Sequence, residues 1–113
     1  MMPPLRNTRT GKLLARRVTV AKTAGARAIG LLARDALRGD DGIWLDDCRE
    51  TDTYGMRAPL DILFVDGAQR VLAVHPAVPP NHRTIRCPRA TGAVQLGSTG
   101  DRDVKAGDVL ELD

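Results

Sequence analysis

Aromatic side chains are scarce in this sequence: Trp44, Tyr54 and Phe64 are the only three in 113 residues. A core made from it must be filled by aliphatic residues and alanine, and there are few rings on which nucleic-acid bases could stack. Long apolar runs are missing too. Nothing approaches the roughly 18 consecutive apolar residues of a membrane-spanning helix, so no membrane partner is expected. The N-terminus is basic, but Arg16 and Arg17 interrupt the apolar stretch Leu13-Leu14-Ala15 and leave no hydrophobic segment for a secretory signal. A cytoplasmic location is expected, and with it reduced thiols.

Cysteine and histidine occur twice each, as Cys48, His75, His82 and Cys87, at separations of 27, 7 and 5 positions. Structural zinc usually draws on paired local ligands such as CxxC or HxxxH, and neither pair is present. A Cys48–Cys87 disulfide is an alternative that the expected compartment disfavours; the preferred reading is two small apolar side chains, buried or half-buried. Gly97-Ser98-Thr99-Gly100 lacks the lysine and the following helix of a P-loop. The Asp40-Asp41 and Asp46-Asp47 pairs flank a strand and are read as surface turns and strand ends. No cofactor and no metal are expected.

What is present suits one domain: 12.2 kDa is enough for a single hydrophobic core. Residues 1–12 are expected to be a partly flexible N-terminal segment and residues 13–113 a single globular domain. The net charge of +3 is unevenly placed. Residues 1–38 carry nine Lys or Arg against Asp35 alone, whereas residues 39–66 carry eight acids against Arg49 and Arg57. A basic N-terminal third could bind phosphates. The favoured reading is that basic and acidic stretches face one another or are solvated, since the basic residues are spread out rather than clustered. Nucleic acid is therefore not the partner of choice.

Partial alternation from Leu13 to Ala21 suits a strand. From Ala24 to Leu37 an apolar stripe of Ala28, Leu32 and Ala36 has helical spacing, and Gly39 can end the helix. Asp40-Asp41-Gly42 reads as a turn before the short strand Gly42-Ile43-Trp44-Leu45. Leu60 to Val65, Asp66-Gly67 and Arg70 to Val74 read as a β-hairpin. A two- or four-residue loop puts Leu72 and Val74 on the face of Asp61, Leu63 and Val65. Leu60, Ile62 and Phe64 then share the other face with Val71, Ala73 and His75. Both faces are apolar, so the hairpin should be central and covered on both sides. Short strands are expected near Thr84 to Cys87, at Ala93 to Leu96 and at Val109 to Leu112. The expected fold class is α+β, mainly β: a compact, partly closed, mostly antiparallel sheet of six or seven strands with one N-terminal helix packed on it.

The order of features resembles the uncharacterised domain-of-unknown-function family 192, over nearly the whole chain from Asn7 to Leu112. The most specific part is Cys48-Arg49-Glu50-Thr51-Asp52-Thr53-Tyr54-Gly55-Met56-Arg57-Ala58-Pro59-Leu60-Asp61. It is similar to the family's pattern of aromatic, glycine or aromatic, Met, basic or polar residue, then Pro-Ile/Leu-Asp and an apolar strand. Arg27 to Leu32, Asp41 to Leu45, Pro79-Pro80, Arg86-Cys87-Pro88 and Ala106 to Leu112 add to the match. The resemblance implies a β-rich fold with a helix near the N-terminus, and it implies no activity. Asp52 stands where many relatives have histidine, which removes a ligand or general base from that position. The segment from Gly97 to Ala106 looks shorter than in the family.

Asp61 is the residue most out of place, a carboxylate one position into an apolar strand, where lacking a partner would be costly. The structural reading has it accept backbone N–H groups or an arginine such as Arg57. The functional reading has it act at the mouth of a pocket. An Asp61–His75 acid/base pair needs both on one face of the hairpin, which only a three-residue loop would give. The leading expectation is a non-catalytic binding or accessory module for a small molecule or protein. Its surface is expected to comprise Cys48, Asp52, Tyr54, Met56, Arg57, Asp61 and Cys87, beside the loop Pro79 to Cys87, with no catalytic residue assigned. The alternatives are a small hydrolase or lyase using Asp61 with Arg57, and nucleic-acid binding by the basic N-terminal third.

Overall fold

The computed structural model describes residues 2–22, 37, 40–99 and 102–113. Alternating and β-branched stretches become strands through almost all of them. In chain order they are β1 (Leu5–Asn7), β2 (Leu13–Ala15), β3 (Arg17–Ala21), β4 (Asp41–Asp46), β5 (Glu50–Thr51), β6 (Leu60–Val65), β7 (Val71–Val78), β8 (Ile85–Arg86), β9 (Gly92–Gly97) and β10 (Leu110–Leu112). They form three sheets, in the orders β10-β1-β2, β3-β4-β9-β6-β7 and β5-β8. Among the described strands only β3 and β4 pair in parallel.

This corrects the expected α+β class with a single partly closed sheet. The described residues are all-β, hold no helix and divide into three sheets. The helix expected from Ala24 to Leu37 lies outside the described residues except for Leu37. The sheets divide because alternation marks a strand without choosing its neighbour, and the neighbours here are far apart in sequence. Strand β1 pairs with β10 at the other end of the chain and with β2. Residues 1–12, expected to be partly flexible, thus supply the middle strand of a sheet, with Leu5 and Asn7 fully buried. Among the described residues no helix is long and apolar enough to cross a membrane.

The five-stranded sheet is covered on both faces, as its two-sided apolar hairpin requires. On one face Val18, Trp44, Leu63, Val65, Val94 and Leu96 pack against Leu5, Leu14 and Leu110 of the three-stranded sheet. On the other, Leu60, Ile62, Phe64 and Ala93 pack with Met56, Val78 and Ala90, and Cys48, Ile85 and Cys87 close over them. The β4–β9 contact is so close that a Cβ on Gly42 would lie 2.6 Å from a Leu96 methyl.

The β6–β7 hairpin fixes where the polar groups point. Its turn is stabilised by Asp66, whose Oδ1 accepts N–H groups of Ala68 at 2.9 Å and Arg70 at 3.0 Å. The Asp66 N–H bonds back to the Arg70 carbonyl at 3.0 Å. Gln69 takes the left-handed conformation (φ 63°), so the loop is of the three-residue kind. Alone, that loop would set Asp61 opposite His75. Instead β7 carries an extra residue at Leu72, and the register becomes Phe64↔Ala73, Leu63↔Val74 and Ile62↔His75. A second extra residue, at Pro76–Ala77, shifts the pairing again to Leu60↔Val78. The expected places of Val71 and Leu72 are therefore exchanged. Val71 packs with Val65 on one face and Leu72 on the other. His75 stays on the Ile62 face, its ring edge-on to Phe64 at 5.9 Å.

Candidate functional site

Asp61 faces the bulge in β7. Pro76 has no N–H to give to the ladder, and Ala77 is held at φ 48°. The N–H of Ala77 bonds instead to Asp61 Oδ1 at 2.8 Å. The other carboxylate oxygen, Oδ2, accepts from the Arg102 guanidinium, and both side chains are buried. Arg102 Nε also donates to the Leu14 carbonyl at 3.2 Å. Asp61 therefore joins the β7 bulge to the chain segment before β10 and, through Arg102, to β2. The arginine named from the sequence, Arg57, is exposed and makes no ion pair with Asp61. Asp61 is thus engaged by Arg102 and Ala77 rather than by Arg57, and the register separates it from His75.

The segment from Asp52 to Pro59 is organised by Thr53, which the sequence did not single out. Its fully buried hydroxyl donates to the Pro79 carbonyl at 2.6 Å and accepts the His82 N–H at 2.8 Å. The Thr53 carbonyl accepts N–H groups from Asn81 and Met56. Asn81 Oδ1 in turn accepts the Gly55 N–H at 2.9 Å. The family-identifying segment and the Pro79–His82 turn are thus one unit. The clue available in the sequence was a threonine in a segment with few apolar neighbours, which is too common to mark a hub.

The remaining surface residues are divided. Tyr54 is exposed, and its N–H bonds to Asp52 Oδ1 at 3.0 Å. Met56 is buried in the core and Asp61 beneath the bulge, so neither presents a side chain on an open surface. Cys48 and Cys87 are both half-buried at the rim of one apolar cluster, and neither is in a disulfide. The Cys48 thiol lies 3.0 Å from the Glu50 carbonyl, and the Cys87 N–H bonds to the Arg49 carbonyl at 2.8 Å. Among the described residues no group of three or more His, Cys, Asp or Glu is placed to hold a metal ion.

A second buried carboxylate belongs to the scaffold. Asp108 accepts from Arg9 Nε at 2.7 Å, Asn7 Nδ2 at 2.9 Å and the Lys105 N–H at 2.9 Å. The Arg9 guanidinium above all, helped by Asn7 and Lys105, holds the Asp108 carboxyl well below the usual carboxylate range despite its burial. Arg9 is raised in turn by Asp108 and Asp103. Arg6 pairs with Asp113, Arg16 with Asp40 and Arg17 with Asp41. Four arginines of the basic N-terminal third thus face carboxylates of the same chain.

The open feature next to the Thr53 unit is a groove of about 490 Å³ along β7, between that strand and the Pro79–Ile85 segment. Val74, Pro76, Val78, Pro79 and Ile85 give it apolar walls, and His75, His82 and Thr84 supply polar groups. His82 Nδ1 lies 2.9 Å from the Arg83 carbonyl. Such a site can hold a ligand by apolar contact and orient it with imidazoles. It has no carboxylate among its lining residues to act as an acid or base beside them.

Two solved structures share the fold. A protein of unknown function from Novosphingobium aromaticivorans DSM 12444 is 24% identical, with a TM-score of 0.75 over 96% of this chain and 83% of that one. A protein from Sinorhizobium meliloti 1021, named as a candidate transcription regulator, is 23% identical, with a TM-score of 0.72 over 96% of this chain and 90% of that one. No match is found among the curated proteins. Residues 5–112 match the family described as Uncharacterized ACR, and the chain therefore belongs to this family, domain-of-unknown-function family 192.

Proposed function

We propose that the protein is a non-catalytic binding module and that its ligand lies in the groove between β7 and the Pro79–Ile85 segment. The observation that carries this reading is the groove itself: about 490 Å³, mostly apolar, with two histidines and a threonine among its lining residues. That volume and mixture are typical of ligand sites. The Thr53 hydrogen bonds support it, because they hold one wall in place before any ligand arrives. The engagement of both Asp61 oxygens argues against the hydrolase or lyase alternative. The pairing of Arg6, Arg9, Arg16 and Arg17 with carboxylates argues against nucleic-acid binding by the N-terminal third. In this reading the module includes the N-terminal strand β1 and works in the cytoplasm, with Cys48 and Cys87 as thiols.

The test is a thermal-shift screen of small carboxylates, phosphates and neutral metabolites, followed by NMR titration of each hit. Ligands that raise the melting temperature should shift the His75 and His82 ring resonances and lose affinity in a His75→Ala, His82→Ala variant. Hits that leave both rings undisturbed would place the binding surface elsewhere and overturn the reading.

A further inference from the structure

We propose that the occupant of this groove is an extended, acidic segment of a partner protein, which adds as a strand to the outer edge of β7. This rests on the binding reading above and specifies its ligand. Strand β7 is the last strand of the five-stranded sheet, and β6 is its one strand neighbour among the described residues. In an antiparallel pair alternate residues turn their N–H and C=O away from the partner. Among the described residues, no backbone group from Leu72 to Pro76 makes a backbone hydrogen bond outside strand pairing. That row of groups is therefore open along a half-exposed stretch of chain.

The edge already accepts a partner at its beginning. The Val71 N–H bonds to the Asp108 carbonyl at 2.7 Å, the Gly107 N–H bonds to the Val71 carbonyl at 2.8 Å, and Arg70 bridges Val109 in antiparallel fashion. The chain's own C-terminal segment thus uses the first position and then turns away toward β10. At the far end Pro76 and the Ala77 bulge stop the row. What remains accommodates a short extended peptide of about four residues, the mode in which main-chain bonds give affinity and alternate side chains give specificity.

Charge selects the peptide. From Gly67 to Thr99 there is no Asp or Glu, while Arg70, Arg83, Arg86 and Arg89 and both histidines fall in that stretch. Arg86 is taken by Glu50 at 2.9 Å. Arg83, exposed between the groove-lining His82 and Thr84, has no ion-pair partner among the described residues. A strand carrying both apolar and acidic residues would set apolar side chains against Val78 and Ile85 on the Leu60 face of the sheet and offer carboxylates to Arg83.

The experiment uses the full chain, ¹⁵N-labelled, with the blocked hexapeptide Val-Glu-Val-Glu-Val-Glu as probe. The controls are its Val-Lys counterpart, the two alternately N-methylated forms of the Val-Glu peptide, and glutarate as a small dicarboxylate. The Val-Glu peptide should shift the Leu72 to His75 amides and bind at least about tenfold more tightly than the Val-Lys peptide. One N-methylated form, the one whose methyls meet β7, should lose about tenfold or more while the other binds nearly as well as the parent. Arg83→Glu should reverse the preference between the Glu and Lys peptides. Equal binding of both N-methylated forms and the parent, or glutarate matching the peptide in affinity, overturns strand addition but leaves a groove that binds anions. If no probe disturbs the residues from Leu72 to Ile85, strand addition is overturned; if the screen of small ligands is silent there too, the binding reading falls with it.

Discussion

The Asp61 carboxylate holds the N–H of Ala77 at 2.8 Å, across a bulge where Pro76 offers no N–H and Ala77 sits at φ 48°. Its other oxygen is bound by buried Arg102. One side chain thus satisfies a backbone donor that the ladder cannot use and neutralises a cation in the interior. Asp61→Asn keeps an acceptor for Ala77 but takes the carboxylate charge away from buried Arg102. It should destabilise the fold by about 3–5 kcal/mol, the usual cost of breaking a buried pair from one side. Adding Arg102→Met to it should restore part of that loss. Urea unfolding of the two single variants and the double variant measures the coupling; additive losses would show that the pair is not coupled.

Thr53 makes a comparable claim on the groove wall. Thr53→Val removes a donor to Pro79 and an acceptor for the His82 N–H, leaving both backbone groups short of a partner. A loss of about 1–3 kcal/mol is expected, while Thr53→Ser should remain close to the native protein. Hydrogen exchange at His82 should quicken in the valine variant alone.

The acid limb of stability should carry the signature of Asp108. Its folded-state carboxyl is held below the ordinary value, chiefly by Arg9. A depressed pKa contributes stability that is fully present above the unfolded value of about 4 and is lost as pH falls below it toward the folded one. Asp108→Asn should lower stability at neutral pH and flatten its dependence below about pH 4. Denaturation midpoints measured from pH 7 downward decide this; parallel curves for the two proteins would contradict it.

Packing at the β4–β9 contact gives a fourth outcome. Gly42→Ala puts a methyl 2.6 Å from the Leu96 side chain and 3.3 Å from the Gln95 carbonyl. Overpacking of this kind costs about 1–3 kcal/mol. Gly67→Ala in the hairpin loop meets nothing within 4 Å and should be nearly silent. Thermal melts of the pair suffice as the check.

The sequence by itself determined which stretches extend and which of them are apolar on both faces. Leu60 to Val65 followed by Asp66-Gly67 could only be a buried hairpin, and Cys48 to Asp61 carried the family's pattern, because both are local features of side-chain chemistry. It also marked Asp61 as a carboxylate in need of partners. Tertiary structure decided who those partners are. Arg102 lies 41 positions away, and no local pattern favours it over the nearer Arg57. The three-residue turn from Asp66 to Arg70, which the sequence did not favour, would by itself have faced Asp61 with His75, and the extra residue at Leu72 cancelled it. A bulge leaves no alternation signal of its own; it forms where packing on both faces of the sheet is better served by shifting the pairing. For the same reason β1 was legible as neither a strand nor a core element: three residues acquire an identity only when β10, from the other end of the chain, lies beside them.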